Sequence, residues 1–201
     1  MSTADTPSNY NIANALTVLR IVGVPLFGWL LLTQGGDSVG YRIASWVAFA
    51  LLMITDKIDG DLARKHDLVT NFGKLADPIA DKALTGMAFV GLSIIGQLWW
   101  WVTIVVLIRE WGITLMRFVV KKYGVMPASQ GGKIKTTLQA LAIGGYLLPF
   151  EIWNNPATDL LLVITHVVMA LALAVTVVTA VMYVRDAVTL RREAKAAAAQ
   201  S

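Results

Sequence analysis

The sequence contains no cysteine among its 201 residues, and only 15% of its residues are charged. The absence of cysteine excludes a disulfide framework and any metal site built from thiolates. The low charge accompanies 56% hydrophobic residues and a mean hydropathy of +0.63, values outside the range of an ordinary soluble domain. The composition therefore predicts an integral membrane protein with short loops.

Long apolar segments separated by polar breaks predict an all-α fold of six transmembrane helices, because about 20 apolar residues are needed for one crossing. The predicted helices are 13–34, 41–62, 75–96, 98–122, 133–151 and 157–186. They form one membrane domain, 13–190, between a polar N-terminal segment, 1–12, and a C-terminal tail, 191–201. Residues 1–12 lack the basic and short apolar regions of a signal peptide, so the first apolar segment is expected to stay in the mature protein.

Basic residues are unevenly distributed between the two predicted membrane faces. Of the 17 lysines and arginines, only Arg42 lies near the separators on one face. Because loops rich in these residues stay in the cytoplasm, both termini are expected on the cytoplasmic side of the cell (inner) membrane. This bias and attraction to anionic membrane lipids account for the basic character of the chain without nucleic-acid binding.

Four aspartates lie in two pairs on consecutive predicted helices. The segments read DKIDGDLAR at 56–64 and GKLADPIAD at 73–81. A spacing of three or four residues places both members of a pair on one helix face. The two pairs can therefore face each other across a helical hairpin near the cytoplasmic membrane surface.

Four carboxylates this close repel one another and lose hydration at membrane depth, so a cation is expected between them. The set offers only oxygen ligands, with no cysteine and no nearby histidine pair, which favours Mg²⁺ or Mn²⁺. Two pairs suit two ions that clamp a phosphate during in-line displacement. The predicted metal ligands are Asp56, Asp59, Asp77 and Asp81.

Small residues accompany the aspartates. Gly60, Ala63 and Gly73 leave room for a nucleotide or pyrophosphate against the backbone, and Arg64 can bind phosphate oxygens with two parallel hydrogen bonds. The glycines alone are equally compatible with close helix packing, which membrane helices favour. The prediction of a site therefore depends on the aspartates, since packing gives no reason for four of them.

The complete pattern, D-x-x-D-G-x-x-A-R, eight residues and G-x-x-x-D-x-x-x-D, resembles the signature of the CDP-alcohol phosphotransferases at every fixed position. The resemblance implies a six-helix membrane fold, usually a homodimer, that binds CDP-diacylglycerol with the cytidine on the cytoplasmic side. It implies that Asp81 is a general base as well as a ligand. An acceptor hydroxyl then attacks the phosphorus that bears diacylglycerol, and CMP leaves.

The same resemblance implies that Thr70 and the start of the first helix contact the nucleotide. Together with the small residues and Arg64, the predicted CDP-lipid-binding set is Asn14, Thr17, Gly60, Ala63, Arg64, Thr70 and Gly73.

A second cluster consists of cations. Arg109 and Arg117 lie within an apolar span, where charge is costly and usually functional, about 12 Å apart along the helix axis. Lys133 and Lys135 begin the following helix, where free backbone N–H groups favour an anion. The four residues predict a phosphate pocket for the acceptor, in which Glu110 orients an arginine.

These elements and the segment NALTVLR at 14–20 resemble phosphatidylglycerophosphate synthases within the family, from about 11 to 145, with Ala13 departing from a common proline. The resemblance implies sn-glycerol 3-phosphate as acceptor, and phosphatidylglycerol phosphate and CMP as products. Phosphatidylinositol phosphate synthase and cardiolipin synthase remain alternatives. A divalent-cation transporter is the alternative from another class, but the aspartates lie near one surface and no inverted repeat is present.

Overall fold

The computed structural model describes residues 11–65, 70–120, 130–153 and 155–198. The predicted N-terminal segment and the predicted loop at 121–132 lie largely outside these ranges. The described ranges form six α-helices and contain no β-strand: α1 (Ile12–Leu32), α2 (Val39–Lys65), α3 (Asn71–Ile94), α4 (Trp100–Val120), α5 (Gln130–Leu147) and α6 (Pro156–Ala198). Short 3-10 turns at Thr33–Gly36 and Phe150–Ile152 follow α1 and α5.

The six predicted helices are confirmed, and the differences lie at their ends. Helix α3 begins at Asn71 instead of 75, because the Thr70 hydroxyl caps it by accepting a hydrogen bond of 3.0 Å from the Gly73 amide. Helix α6 is 43 residues long and runs to Ala198, beyond the end at 186 predicted for the last span. The alanine-rich segment after 186 has a high intrinsic helix propensity although it lacks the apolar character of a span.

Three helices in the described part of the chain contain segments long and apolar enough to cross a membrane. These segments are Asn14–Gly36, Val39–Ile58 and Pro156–Ala194. Their outer faces expose large apolar side chains such as Leu26, Leu51 and Val163, as expected for helices solvated by lipid. The structure thus agrees with an all-helical membrane protein, while six crossings and their orientation stay predictions.

The chain divides into two compact units, and the first comprises residues 1–98 and 146–152. Within it α1 packs against both α2 and α3. Glycines permit close approach: a Cβ on Gly23 would lie 2.6 Å from Leu52 Cδ2, and one on Gly28 would lie 2.7 Å from Met87 Sδ. Small residues at helix crossings are the usual means of packing helices in lipid, where no hydrophobic force drives their association.

One face of α1 is buried along its whole length. The buried residues recur every three or four positions, as an α-helix requires for one face. They are Asn14, Thr17, Arg20, Val24, Phe27 and Leu31. The first three are polar and the last three are apolar, so the start of α1 presents a polar face to its neighbours. We refer to Asn14, Thr17 and Arg20 as the polar face of α1.

Arg42 has a structural role in the same unit. It is 2% exposed, and its Nη2 donates hydrogen bonds to the carbonyl oxygens of Tyr146 at 2.8 Å and Leu148 at 3.1 Å. The last carbonyls of an α-helix have no partner within the helix, and these two lie at the end of α5. Arg42 therefore caps a helix end, which explains a basic residue on the face predicted to hold few.

The second unit comprises residues 99–145 and 153–201, and α4 packs against α6 within it. Its interior contains polar side chains that bond to one another or to the backbone. Gln139 Nε2 donates to Thr176 Oγ1 at 3.2 Å, and the Thr176 hydroxyl donates to the Ala172 carbonyl at 2.6 Å. These bonds remove the cost of burying polar groups away from water.

Candidate active site

The first unit contains the aspartates. Asp56 lies on α2, whereas Asp77 and Asp81 lie four residues apart on α3 and project from one face. The Asp56 side chain is 38% exposed, and Asp77 and Asp81 have intermediate exposure. Asp59 follows Asp56 by almost one turn of α2, and its side chain lies outside the described part of the structure.

The polar face of α1 contacts two of these carboxylates. Arg20 is fully buried, and its Nη1 donates to Asp56 Oδ1 in a charge-assisted hydrogen bond. The Thr17 hydroxyl donates to Asp77 Oδ1 at 2.7 Å. Thr17 and Arg20 are about 4.5 Å apart along the helix axis. Helix α1 therefore brings together a carboxylate from α2 and one from α3.

Asn14 connects α1 to the cap of α3. Its Nδ2 lies 3.0 Å from Thr70 Oγ1, and the Thr70 hydroxyl lies 3.0 Å from Asn14 Oδ1. Both residues are buried. A Cβ on Gly73 would lie only 3.0 Å from Asn14 Oδ1 and 3.8 Å from Asp77 Oδ2. The room that Gly73 provides is thus occupied by the Asn14 amide and the Asp77 carboxylate.

The remaining predicted donor-site residues lie on α2. Gly60, Ala63 and Arg64 are helical, and their side chains fall outside the described part. Among the side chains that are described, no three acidic or histidine groups are close enough to hold a metal ion. The donors that are described still fit a hard divalent cation, since Asp56 and Asp77 offer oxygen ligands that hydrogen bonds from α1 orient.

The second unit contains a buried cluster of opposite charges. Glu110 Oε1 lies 2.5 Å from Lys135 Nζ and 3.0 Å from Arg109 Nη1. Arg109 Nη2 also donates to Thr179 Oγ1 on α6 at 3.0 Å. The Arg109 and Lys135 side chains are only 9% and 7% exposed. One carboxylate therefore joins cations from α4 and α5 within the interior.

Tyr183 on α6 extends this cluster. Arg117 Nη2 donates to the Tyr183 hydroxyl at 2.8 Å, and its guanidinium carbon lies 4.8 Å from the centre of the Tyr183 ring. The corresponding distance for Arg109 is 5.9 Å. Both distances lie within the range of a cation–π interaction. Arg109, Arg117 and Lys135 therefore converge around Glu110 and Tyr183, and we call these three residues the cation cluster.

The predicted role of Lys133 in the phosphate pocket stays a prediction. Its side chain is exposed, whereas Lys135 is 5% exposed. Residues two positions apart on a helix project from different faces, which is why the two lysines separate.

A model of the CDP-alcohol phosphatidyltransferase family matches residues 10–178, which include the aspartate pairs, the polar face of α1 and the cation cluster. The chain belongs to this family. The family resemblance predicted from the aspartate motif is therefore confirmed, and CDP-alcohol phosphatidyltransferases generally use divalent metal ions.

Proteins from three bacteria are similar to this chain over more than half of its length. A Mycobacterium tuberculosis protein named "Probable phosphatidylglycerophosphate synthase" is 49% identical over 177 residues, which cover 88% of this chain and 81% of that protein. A Bacillus subtilis protein named CDP-diacylglycerol–glycerol-3-phosphate 3-phosphatidyltransferase is 37% identical, covering 76% of this chain and 86% of its own length. A Streptomyces coelicolor protein named Cardiolipin synthase (CMP-forming) is 35% identical, covering 58% of this chain and 54% of its own length.

Three residues of this CDP-alcohol phosphatidyltransferase contact the predicted site residues, although the sequence predicted no role for them. Arg20 is one, and its sequence signal is a basic residue inside an apolar span, where charge is costly. Thr179 and Tyr183 are the others, four residues apart on α6 and therefore on one face. The family match ends at residue 178, immediately before both.

Proposed function

We propose that this CDP-alcohol phosphatidyltransferase transfers the phosphatidyl group of CDP-diacylglycerol to sn-glycerol 3-phosphate, giving phosphatidylglycerol phosphate and CMP. The observation that carries the choice of acceptor is the cation cluster of α4 and α5, in which Arg109 and Lys135 are largely buried and Arg117 is exposed. The names of the M. tuberculosis and B. subtilis relatives, which align with most of this chain, support the same reaction.

The charge of the cluster matches a phosphomonoester. Arg109, Arg117 and Lys135 carry three positive charges and Glu110 carries one negative charge, which leaves a net charge of +2. A phosphomonoester carries about −1.5 to −2 near pH 7. Free inositol and serine have no phosphate to neutralise this charge. A phosphate-bearing alcohol is therefore the acceptor class that the cluster favours.

The aspartates act on the donor. Asp56, Asp59, Asp77 and Asp81 would hold Mg²⁺ or Mn²⁺, with two ions for two carboxylate pairs. When bound, the ions stabilise negative charge on the bridging and leaving phosphate oxygens. Asp81 takes the proton from the attacking hydroxyl, a role that requires a carboxylate near that oxygen.

The donor lipid binds in the first unit. Arg64 binds phosphate oxygens of the CDP group, and Gly60 and Ala63 let the nucleotide approach the backbone of α2. Asn14 and Thr70 contact the nucleotide from the start of α1 and α3. These donor-binding residues serve every acceptor alternative within the family equally.

The membrane arrangement belongs to the proposal as well. Six helices cross the cell membrane with both termini and the aspartates at the cytoplasmic side, and two chains form a homodimer. Three long apolar helices support the membrane location, and the uneven distribution of lysine and arginine supports the orientation. The homodimer is what the family resemblance implies. Sidedness is testable by labelling single cysteines in this cysteine-free chain, since a cysteine at Ser2 should react only from the cytoplasmic side.

The test of function is CMP release by the purified full chain in detergent with CDP-diacylglycerol and Mn²⁺. The acceptor panel contains glycerol 3-phosphate, inositol phosphate, free inositol, serine and phosphatidylglycerol. Glycerol 3-phosphate should support the fastest release and yield phosphatidylglycerol phosphate. Faster release with inositol phosphate would identify a phosphatidylinositol phosphate synthase instead. No CMP release with any acceptor would contradict phosphatidyl transfer and leave cation transport as the alternative.

Cardiolipin synthesis is the second candidate, because the S. coelicolor relative carries that name. Phosphatidylglycerol, the acceptor in that reaction, has one phosphodiester charge, so it neutralises only half of the +2 on the cluster. Cardiolipin formation from phosphatidylglycerol at a rate above that with glycerol 3-phosphate would favour this candidate.

A further inference from the structure

We propose that Arg20 and Thr17 are positioning residues that fix the Asp56 and Asp77 carboxylates for divalent-cation binding. This inference rests on the proposed function and deepens it, because it assigns two residues of the polar face of α1 to the metal ligands. It gives Arg20 a role and moves Thr17 from the nucleotide to a carboxylate.

The burial of Arg20 is the first observation. Its side chain is 0% exposed, whereas the Asp56 side chain that accepts its hydrogen bond is 38% exposed. Burying a guanidinium costs free energy, and a close anion that accepts its hydrogen bond offsets that cost. Asp56 provides that partner and keeps part of its carboxylate accessible. The pair therefore holds one oxygen of Asp56 from inside the unit while the side chain stays partly exposed.

The second observation concerns Thr17, which contacts the carboxylate on α3. It is 2% exposed, and its hydroxyl hydrogen is committed to Asp77 Oδ1 at 2.7 Å. The other oxygen of Asp77 lies 3.8 Å from the position of a Cβ on Gly73. A hydroxyl that donates to a carboxylate cannot donate the same hydrogen to a nucleotide. The Thr17 hydroxyl hydrogen therefore serves to orient Asp77.

The register of α1 connects the two contacts. Thr17 and Arg20 are one turn apart on one rigid helix, so the carboxylates that they hold are fixed relative to each other. Metal ligands in proteins are commonly oriented by such hydrogen bonds, and the loss of one typically costs about 10- to 100-fold in metal affinity or activity.

Charge compensation and positioning predict opposite signs for the effect of removing Arg20. If Arg20 only balanced negative charge, its removal would make the site more negative and strengthen cation binding. If Arg20 positions Asp56, its removal releases the carboxylate and weakens cation binding. The affinity of the substrate-free protein for a divalent cation therefore distinguishes the two roles.

The experiment measures Mn²⁺ binding to the purified full chain in detergent, without substrates, from the loss of the free Mn²⁺ signal in electron paramagnetic resonance. We expect Arg20→Gln and Thr17→Val to weaken Mn²⁺ binding by about 10- to 100-fold. Arg20→Lys should weaken it less than Arg20→Gln, because lysine keeps the charge but loses the planar donor geometry. Thr17→Ser keeps the hydroxyl and should bind Mn²⁺ as the wild type does.

Thr85→Val is the matched control. The Thr85 hydroxyl donates to the backbone carbonyl of Asp81 at 2.9 Å, and not to a carboxylate. Its loss should leave Mn²⁺ affinity unchanged. Saturating Mn²⁺ should restore most CMP release in Arg20→Lys, a rescue that an unfolded protein would not show. If Arg20→Gln does not fold, the comparison of Thr17→Val with Thr17→Ser decides, since valine and threonine have similar shapes.

Mn²⁺ binding by Arg20→Gln and Thr17→Val as tight as that of the wild type, or tighter, would overturn the positioning role. Failure of the proposed function would look different, because the wild type itself would then bind no Mn²⁺ or release no CMP. If the wild type binds Mn²⁺ and releases CMP while both variants bind Mn²⁺ normally, only the positioning inference fails.

Discussion

Glu110 and Lys135 form an ion pair of 2.5 Å between α4 and α5, and the same Glu110 oxygen lies 3.0 Å from Arg109 Nη1. Glu110 is thus the shared counter-ion of two largely buried cations. An acceptor phosphate would supply further negative charge to the same cations. The predictions for the second unit follow from this relationship.

Glu110→Gln should lower the thermal stability of the protein. Removing one partner of a buried ion pair typically costs about 3–5 kcal/mol, because a charge is left uncompensated. Glycerol 3-phosphate should raise the apparent Tm of this variant more than that of the wild type, since its phosphate replaces the lost charge. Thermal unfolding in detergent with and without glycerol 3-phosphate provides the measurement.

Glu193→Gln is the matched control, because Glu193 is an exposed glutamate on α6. It should leave the apparent Tm close to the wild-type value. If glycerol 3-phosphate stabilised Glu110→Gln and the wild type equally, Glu110 would not belong to the acceptor site.

Arg117→Ala should weaken use of the acceptor by about 1.5–3 kcal/mol, the range for a hydrogen bond to a charged group. This corresponds to roughly a ten- to hundredfold loss in kcat/KM for glycerol 3-phosphate. Tyr183→Phe removes the hydroxyl that accepts from Arg117 but keeps the ring beneath it, so its effect should be smaller. The KM for CDP-diacylglycerol should change little in both variants. A defect confined to CDP-diacylglycerol would move Arg117 to the donor site.

The aspartate motif could be predicted from sequence because its information is local. Spacings of three and four residues determine a helix face, and carboxylates in an apolar segment require compensation. The partners of the aspartates could not be predicted in this way. Arg20 and Asp56 are 36 positions apart, and Thr17 and Asp77 are 60 apart, so only the packing of α1 on α2 and α3 reveals these pairs.

The end of α6 and the separation of Lys133 from Lys135 were also not predicted from sequence. Hydropathy placed the end of the last helix at 186, because the charged and alanine-rich segment beyond it does not look like a span. Because this segment has a high helix propensity, α6 extends to Ala198. The sequence analysis places Lys133 and Lys135 in one phosphate pocket, although a spacing of two puts them on different helix faces.

Asp56→Asn and Asp77→Asn should each abolish CMP release, because each substitution removes a ligand charge from the proposed metal site. Their stabilities should differ. Asp56→Asn leaves the fully buried Arg20 without its anionic partner, whereas Asp77→Asn keeps a side-chain oxygen able to accept from Thr17. The apparent Tm should therefore fall further for Asp56→Asn.

Asp37→Asn serves as the control for both, since Asp37 is exposed and follows the turn Thr33–Gly36. It should retain CMP release and Tm. Wild-type turnover in Asp56→Asn or Asp77→Asn would disprove the assignment of that carboxylate as a ligand.

Gly73→Ala should destabilise the first unit by about 1–3 kcal/mol, the usual cost of overpacking. The new Cβ would lie 3.0 Å from Asn14 Oδ1 and 3.4 Å from Thr70 Oγ1. Asn14 cannot retreat without losing its hydrogen bonds to Thr70.

Gly40→Ala is the control, because nothing lies within 4 Å of its added Cβ. A helical alanine there should be neutral or stabilising by about 0.5–1 kcal/mol. An unchanged Tm for Gly73→Ala would mean that Asn14 is not held as tightly as its contacts indicate.

Asp81→Asn tests the division of roles among the aspartates. Asp81 lies one turn beyond Asp77 on α3, so the two side chains share a face. If Asp81 takes the acceptor proton, its charge matters most in the transition state, and kcat should fall far more than the affinity for CDP-diacylglycerol. Asp77→Asn should weaken Mn²⁺ binding as well as turnover, because Asp77 acts as a ligand in the ground state. Parallel measurements of kcat, CDP-diacylglycerol affinity and Mn²⁺ affinity in the two variants separate these cases. An equal loss of Mn²⁺ affinity and turnover in Asp81→Asn would leave Asp81 as a metal ligand only and remove the need for a proton-accepting role.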